Sequence, residues 1–126
     1  MKIQESAENY LETILVLKKK KGRVRSVDIA TELDYSKPSV SIAMKNLREN
    51  GYIDTDKDGY IELLESGERI AMKIYERHTA LTDYLMALGV TPVTAAEDAC
   101  RIEHVISDES FDAIKNHCQI HEKEEK

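Results

Sequence analysis

The sequence predicts a mainly α-helical fold, six helices interrupted once by a short β-hairpin. Three observations predict it. Only 5 Gly and 2 Pro punctuate 126 residues. Apolar residues recur at helical spacing along most of the chain, and one hairpin signal, Asp56-Lys-Asp-Gly59, lies between two short β-prone runs. Hydrophobic residues make up 41% and charged residues 33%, a balance that suits a globular helical chain with a real core and excludes a disordered one.

Each element has its own signal. Ala7, Tyr10, Leu11, Ile14, Leu15 and Leu17 give a helical period, stopped by Gly22 after Lys18-Lys-Lys-Lys21. Ser26 is placed to N-cap a short second helix through Leu33. The turn Asp34-Tyr-Ser-Lys-Pro38 then leads into a third helix, from Ser36 to Glu49, with Val40, Ala43, Met44 and Leu47 inward and Asn50-Gly51 as its stop. Tyr52-Ile-Asp and Tyr60-Ile-Glu-Leu flank the hairpin turn. A hairpin directly after two turn-linked helices is a wing, so the first half reads as a winged helix-turn-helix.

Ser66 opens a long helix whose stripe runs Ile70, Ile74, His78, Leu81, Leu85 and Leu88, closing at Gly89. Thr94-Ala-Ala-Glu97 has the form of a capping box for a fifth helix. Ser107-Asp-Glu starts a last helix with Phe111, Ile114 and Cys118 inward. His117 and His121 stand at i and i+4 there, beside a charged tail, and are expected to face solvent.

The net charge of -6 conceals an asymmetry. Residues 18–48 hold nine Lys/Arg against three Asp/Glu, while residues 76–126 hold five against eleven. A basic segment inside an acidic protein is the electrostatic footprint of nucleic-acid binding, although the lysine run alone also suits a solvated helix C-terminus. No apolar run is long enough to span a bilayer, and Met1-Lys2 leads straight into an acidic amphipathic segment rather than a signal peptide. A cytoplasmic protein without membrane contact is expected. Two cysteines do not make a disulfide framework. No Walker-type or dinucleotide-type glycine loop is present, so no nucleotide cofactor is expected.

The chemistry concentrates in Asp98-Ala-Cys-Arg-Ile-Glu-His104, which puts a thiol, a carboxylate and an imidazole at i, i+3 and i+4. On a helix, Cys100, Glu103 and His104 share one face and can converge on a metal ion. The plainer alternative is ordinary packing: a small Cys is commonly buried, and a lone His78 on an apolar stripe reads as a core histidine. An enzyme has little support. Cys100 and His104 have the spacing of a nucleophile and base, but nothing supplies an oxyanion hole.

Glu8-Asn-Tyr-Leu-Glu12, Ser36-Lys-Pro-Ser-Val-Ser41, Arg77-His78 and Ala99-Cys-Arg-Ile-Glu-His-Val-Ile-Ser-Asp108, in this order of elements, resemble the diphtheria toxin repressor family in its manganese-transport-regulator branch. The resemblance runs from about Glu5 to Phe111. It implies a metal-dependent, homodimeric transcriptional repressor of metal-uptake genes that binds double-stranded operator DNA. Residues 1–70 would form the winged helix-turn-helix domain and 71–126 the helical dimerisation and metal-binding domain. It also implies metal ligands at Glu12, His78, Cys100, Glu103 and His104, with Asn9 at the remaining first-helix position.

This chain departs from the family pattern at several positions. Asn9 stands where other members carry Met or Asp and offers only a neutral amide oxygen. Thr82 and Ala96 replace ligands of a second site, which is therefore expected to be altered or absent. Longer members append an SH3-like domain, and this chain is expected to lack one. Cys100 matches the iron-type members, where the manganese type has Glu. A thiolate with two imidazoles favours Fe(II) over Mn(II) and accepts Co(II), Ni(II) or Zn(II) in vitro.

By position, the helix from Ser36 is the recognition helix, and its N-terminal end meets bases. Ser36, Lys37, Pro38, Ser39 and Ser41 lie there, with Ile42 outward for contact with thymine methyls. Lys45, Arg25 and Ser26 suit phosphate contacts. The alternative function is a winged-helix regulator that uses no metal and senses oxidation through Cys100 or Cys118, with Arg101 and His104 lowering the thiol pKa.

Overall fold

Six helices and one hairpin form in the order expected. The computed structural model describes residues 5–124, with side-chain surroundings through Cys118. Its elements are α1 (Glu5–Lys21), α2 (Ser26–Leu33), α3 (Lys37–Glu49), β1 (Ile53–Thr55), β2 (Ile61–Leu63), α4 (Glu65–Ala87), α5 (Pro92–Ile102) and α6 (Asp108–Glu124). Two compact units divide between Ile74 and Tyr75.

In the first unit, α1 packs on α2 and β2, α2 on α3, and α3 on β1. The apolar period of each helix supplies the core: Leu11, Ile14 and Leu17 from α1, Ile29 from α2, and Val40, Met44 and Leu47 from α3, with Val24, Ile53 and Ile61. Each such side chain contributes about 1.5–3 kcal/mol by leaving water. The strands pair antiparallel with Ile53 opposite Leu63 and Thr55 opposite Ile61. Asp56 closes their turn, its Oδ1 accepting from the backbone N–H of Asp58 and of Tyr60, both at 2.9 Å. Gly59 takes the positive φ of 86° that the turn needs.

The start of α2 differs from expectation. Ser26 is its first helical residue, and Arg25 takes the N-cap position in extended conformation. The capping is done from inside the helix: Asp28 Oδ2 accepts from the Arg25 backbone N–H at 2.9 Å, with Lys21 Nζ 3.4 Å from Oδ1. The backbone hydrogen bond, then the Lys21 and Arg25 charges, hold the Asp28 carboxyl below its ordinary pKa against a partial desolvation. A depressed folded-state pKa gives stability that is present above the ordinary carboxylate range and is lost as pH falls through the lowered value. We therefore expect Asp28→Ala to lower stability by about 1 kcal/mol at neutral pH. In urea titrations the gap from the wild type should close in acid; a gap that stays constant down to acid pH would exclude this role.

The other helix ends are set by short-range chemistry. Ser36 N-caps α3, its Oγ accepting from Ser39 N–H at 3.3 Å, and Pro38 sits in the first turn, where its missing N–H costs nothing.

In the second unit, Leu81 of α4, Ala99 of α5 and Phe111 of α6 form the core, flanked by Ala80, Ile102, Ile106 and Ile114. The expected capping box at Thr94–Glu97 does not start α5. The helix begins at Pro92 with Thr91 as N-cap, because proline's fixed φ suits the first helical position. Leu88, expected to continue the α4 stripe, lies past the end of that helix and is 65% exposed. His117 is exposed as expected, its ring 6.3 Å from that of Tyr84. The surroundings of His121 lie outside the described residues.

Candidate metal centre and nucleic-acid interface

α4 and the end of α5 bring a carboxylate and two imidazoles together. Ala95 and Ala99 bury one face of α5, so the residues that follow at the same phase turn inward as well. Glu103 caps the helix and is fully buried, at 0% exposure. Its Oε2 lies 2.9 Å from His78 Nδ1, and its Oε1 lies 3.3 Å from His104 Nε2. The His104 side chain is only 2% exposed. Although close to His104, Glu103 Oε1 has no hydrogen-bond partner among the described residues.

That arrangement fits a divalent cation. A carboxylate removed from water is costly unless it is paired and hydrogen-bonded. A carboxylate whose two oxygens each face an imidazole nitrogen offers the mixed oxygen and nitrogen donors that suit Mn(II), Fe(II), Co(II) or Zn(II).

Other expected ligands are placed differently. Cys100 is exposed on α5, one turn before Glu103. The expectation of three ligands on one continuous helix face is not met, because α5 ends at Ile102 and His104 falls in the turn that follows. In the first unit, Glu12 is nearly buried on α1, at 9% exposure. Asn9 is half-buried there, its carbonyl accepting from Thr13 Oγ1 at 2.8 Å. Thr82 retains a buried hydroxyl without a hydrogen-bond partner among the described residues, and Ala96 offers no donor atom.

The residue missed in the sequence is Arg77. Noted there only as part of a motif, it is 6% exposed, and its guanidinium donates to the carbonyls of Glu103 at 3.0 Å and Ile106 at 2.9 Å and to Asp108. Its only sequence signal was its place beside His78 in that motif.

The helix-turn-helix presents its candidate contacts to solvent. Ser36, Lys37, Pro38, Ser39, Ser41, Ile42 and Lys45 of the α3 face are all exposed, Ile42 at 63%. Arg25 is exposed and Ser26 half-buried. Two further residues join them. The guanidinium carbons of Arg23 and Arg25 lie 5.1 and 4.4 Å from the centre of the Tyr60 ring, and the Ile61 N–H donates to the Val24 carbonyl at 2.7 Å. The α1–α2 linker is thus joined to the wing, with Arg23 and Arg25 against its Tyr60. Arg23 was legible as part of the basic run, but its pairing with Tyr60 was not.

A winged helix-turn-helix followed by a helical unit with a buried carboxylate–imidazole cluster defines a metal-responsive DNA-binding regulator. The chain belongs to the iron-dependent repressor family: residues 2–61 match its N-terminal DNA binding domain and residues 64–123 its metal binding and dimerisation domain. This places it among transcriptional regulators rather than enzymes. The chain is 35% identical over 118 residues to the transcriptional regulator MntR of Escherichia coli O6:H1, covering 94% of this chain and 76% of the relative. It is 32% identical over 115 residues to an uncharacterized HTH-type transcriptional regulator of Methanocaldococcus jannaschii, covering 90% and 92%. Among solved structures, the manganese regulator SloR superposes with a TM-score of 0.79 at 26% identity, and the IdeR protein of T. acidophilum with 0.78 at 25%. Each comparison covers 94% of this chain, which spans about half the length of those two, 55%.

Proposed function

We propose that the protein is a homodimeric repressor that binds double-stranded operator DNA when a divalent transition metal occupies the Glu103 cluster. The observation that carries this reading is the buried Glu103 carboxylate, set between His78 and His104 with one oxygen unsatisfied. By resemblance, the ligand set extends to Glu12, to Cys100 and to Asn9. A bound cation would neutralise the buried charge and favour one conformation of the protein over others, the one competent for DNA. By the same resemblance, we assign it the control of metal-uptake genes in the cytoplasm. Operator sequences selected from random DNA by the Mn(II)-loaded protein provide the test. Fluorescence anisotropy should report tight binding with Mn(II) or anaerobic Fe(II) and loss of binding with chelator. Equal affinity with chelator present would refute metal activation.

For DNA recognition, we assign Ile42 and the Ser36–Ser41 turn to the bases, and Lys45, Arg25 and Ser26 to phosphates, with Arg23 joining them. Lys45→Ala should weaken binding to all sequences and flatten the slope of log affinity against log salt by roughly 1. Ile42→Ala should instead relax sequence preference. A uniform loss on operator and random DNA would count against base contact at Ile42.

The metal itself is set by two opposed features. The relatives' names point to manganese, and the Fe(II) preference expected from Cys100 finds no support in them; the thiol itself favours the softer ion. We propose that both ions activate and that Cys100 sets their ratio. Cys100→Glu should lower the potency of Fe(II) relative to Mn(II), measured anaerobically on one operator. An unchanged ratio would place Cys100 outside the coordination sphere and favour its use as an oxidation sensor, a role for which its exposure is the supporting observation.

A further inference from the structure

Consecutive residues of α4 grip Glu103 at its two ends. His78 Nδ1 meets the carboxylate at 2.9 Å, and Arg77 Nη1 donates to the main-chain carbonyl of the same residue at 3.0 Å. The Arg77 guanidinium reaches further along the chain. Nη1 also donates to the Ile106 carbonyl at 2.9 Å, Nη2 pairs with Asp108 at the start of α6, and the guanidinium carbon lies 5.6 Å from the centre of the Phe111 ring. Residues 103–107 between α5 and α6 are turn and bend rather than helix, yet they include Glu103 and His104. Its N–H groups are held locally, Glu103 donating to the Ala99 carbonyl at 2.9 Å and Val105 and Ile106 to the Ile102 carbonyl at 3.0 Å, whereas the carbonyls of Glu103 and Ile106 are held by Arg77.

We propose that Arg77 is a positioning residue that holds the 103–106 backbone in place before metal arrives, so that Glu103 and His104 are presented to the ion already arranged. Arg suits the task because its rigid planar fork serves two carbonyls and a carboxylate in a fixed arrangement, whereas a Lys ammonium has three donors but no such fork. Its burial among core residues keeps water from competing for those carbonyls. Pre-arranged ligands bind more tightly because less conformational freedom is lost on binding, and groups supporting metal ligands from outside the coordination sphere affect affinity by about 10–100-fold.

This inference rests on the metal-binding reading above, and the experiment separates the two. Wild type, Arg77→Met, Arg77→Lys and the core control Ile114→Ala are titrated with Mn(II) by the loss of free-ion EPR signal and with Co(II) by its ligand-field absorption. Amide hydrogen exchange of residues 104–107 is followed in the metal-free proteins. Arg77→Met should raise the Mn(II) Kd about tenfold or more, alter the Co(II) spectrum, and speed exchange of the metal-free turn. Arg77→Lys should recover part of the affinity. Ile114→Ala should lose thermal stability while keeping the wild-type Kd and spectrum. Should Arg77→Met fold poorly, Arg77→Lys alone decides through the same three readouts. Unchanged Kd, spectrum and exchange in the folded Arg77 variants, or an equal change in Ile114→Ala, would overturn the positioning role. A wild-type protein that binds neither Mn(II) nor Co(II) would overturn the metal reading and this inference with it.

Discussion

Glu103→Gln should abolish metal-stimulated operator binding while leaving the metal-free protein as stable as the wild type or more so. The two effects have one cause. Glu103 is completely buried, and one of its oxygens has no hydrogen-bond partner among the described residues, so the metal-free fold bears the cost of an incompletely paired charge. Such penalties run to several kcal/mol per buried ion even after relaxation. The isosteric amide removes the charge and keeps hydrogen-bonding atoms facing His78 and His104, but it offers the cation no negative oxygen. Thermal unfolding in chelator and anisotropy with Mn(II) measure the two effects separately. His104→Ala should also lose the metal response, but with reduced stability, because its side chain is 2% exposed and its removal leaves a hole. A Glu103→Gln variant still fully activated by Mn(II) would remove this cluster from the mechanism.

Gly67→Ala should destabilise the protein by on the order of 3 kcal/mol. Gly67 lies near the start of α4 and is buried. A Cβ there would lie 2.2 Å from the Tyr52 carbonyl oxygen and 3.0 Å from its carbon. Both are backbone atoms and cannot swing aside. Their position is held by the Leu64 N–H donating to the same oxygen at 2.9 Å and by Ser66 Oγ donating to the Gly51 carbonyl at 3.0 Å. The sign is diagnostic. In an unobstructed helix, Gly→Ala stabilises by about 1 kcal/mol, whereas here the melting temperature should fall by roughly 10 °C or more. A rise in melting temperature would disprove the close approach of α4 to the segment entering the wing.

Much of the first unit was legible because its signals are local. The α1 period, the Ser36 cap, the Asn50-Gly51 stop and the Asp56–Gly59 turn each act within a few residues, and each formed where expected. The misplaced helix starts were also local, and in both cases another residue competed better. Asp28 reaches back to cap α2 in place of Ser26, and Pro92 starts α5 ahead of Thr94. Leu88 satisfied the apolar period of α4 but fell beyond its last turn.

The residue types at the centre, and the spacing that places Cys100, Glu103 and His104 near one another, belong to the sequence by itself. So do the wing, the basic segment before it and the acidic one after it, since periodicity, turn chemistry and charge are properties of neighbouring residues. Only the tertiary structure decided which of those groups leave water. Cys100 is exposed while Glu103 and His104, three and four residues later, are buried, because α5 ends at Ile102 and the chain turns under α4. Arg77 acquired its partners 26 to 31 residues away, and Gly67 met Tyr52 across the chain's return from the wing. Desolvation and steric exclusion depend on atoms distant in sequence, so neither the burial of a charge nor the clamp that holds it could be read from local pattern.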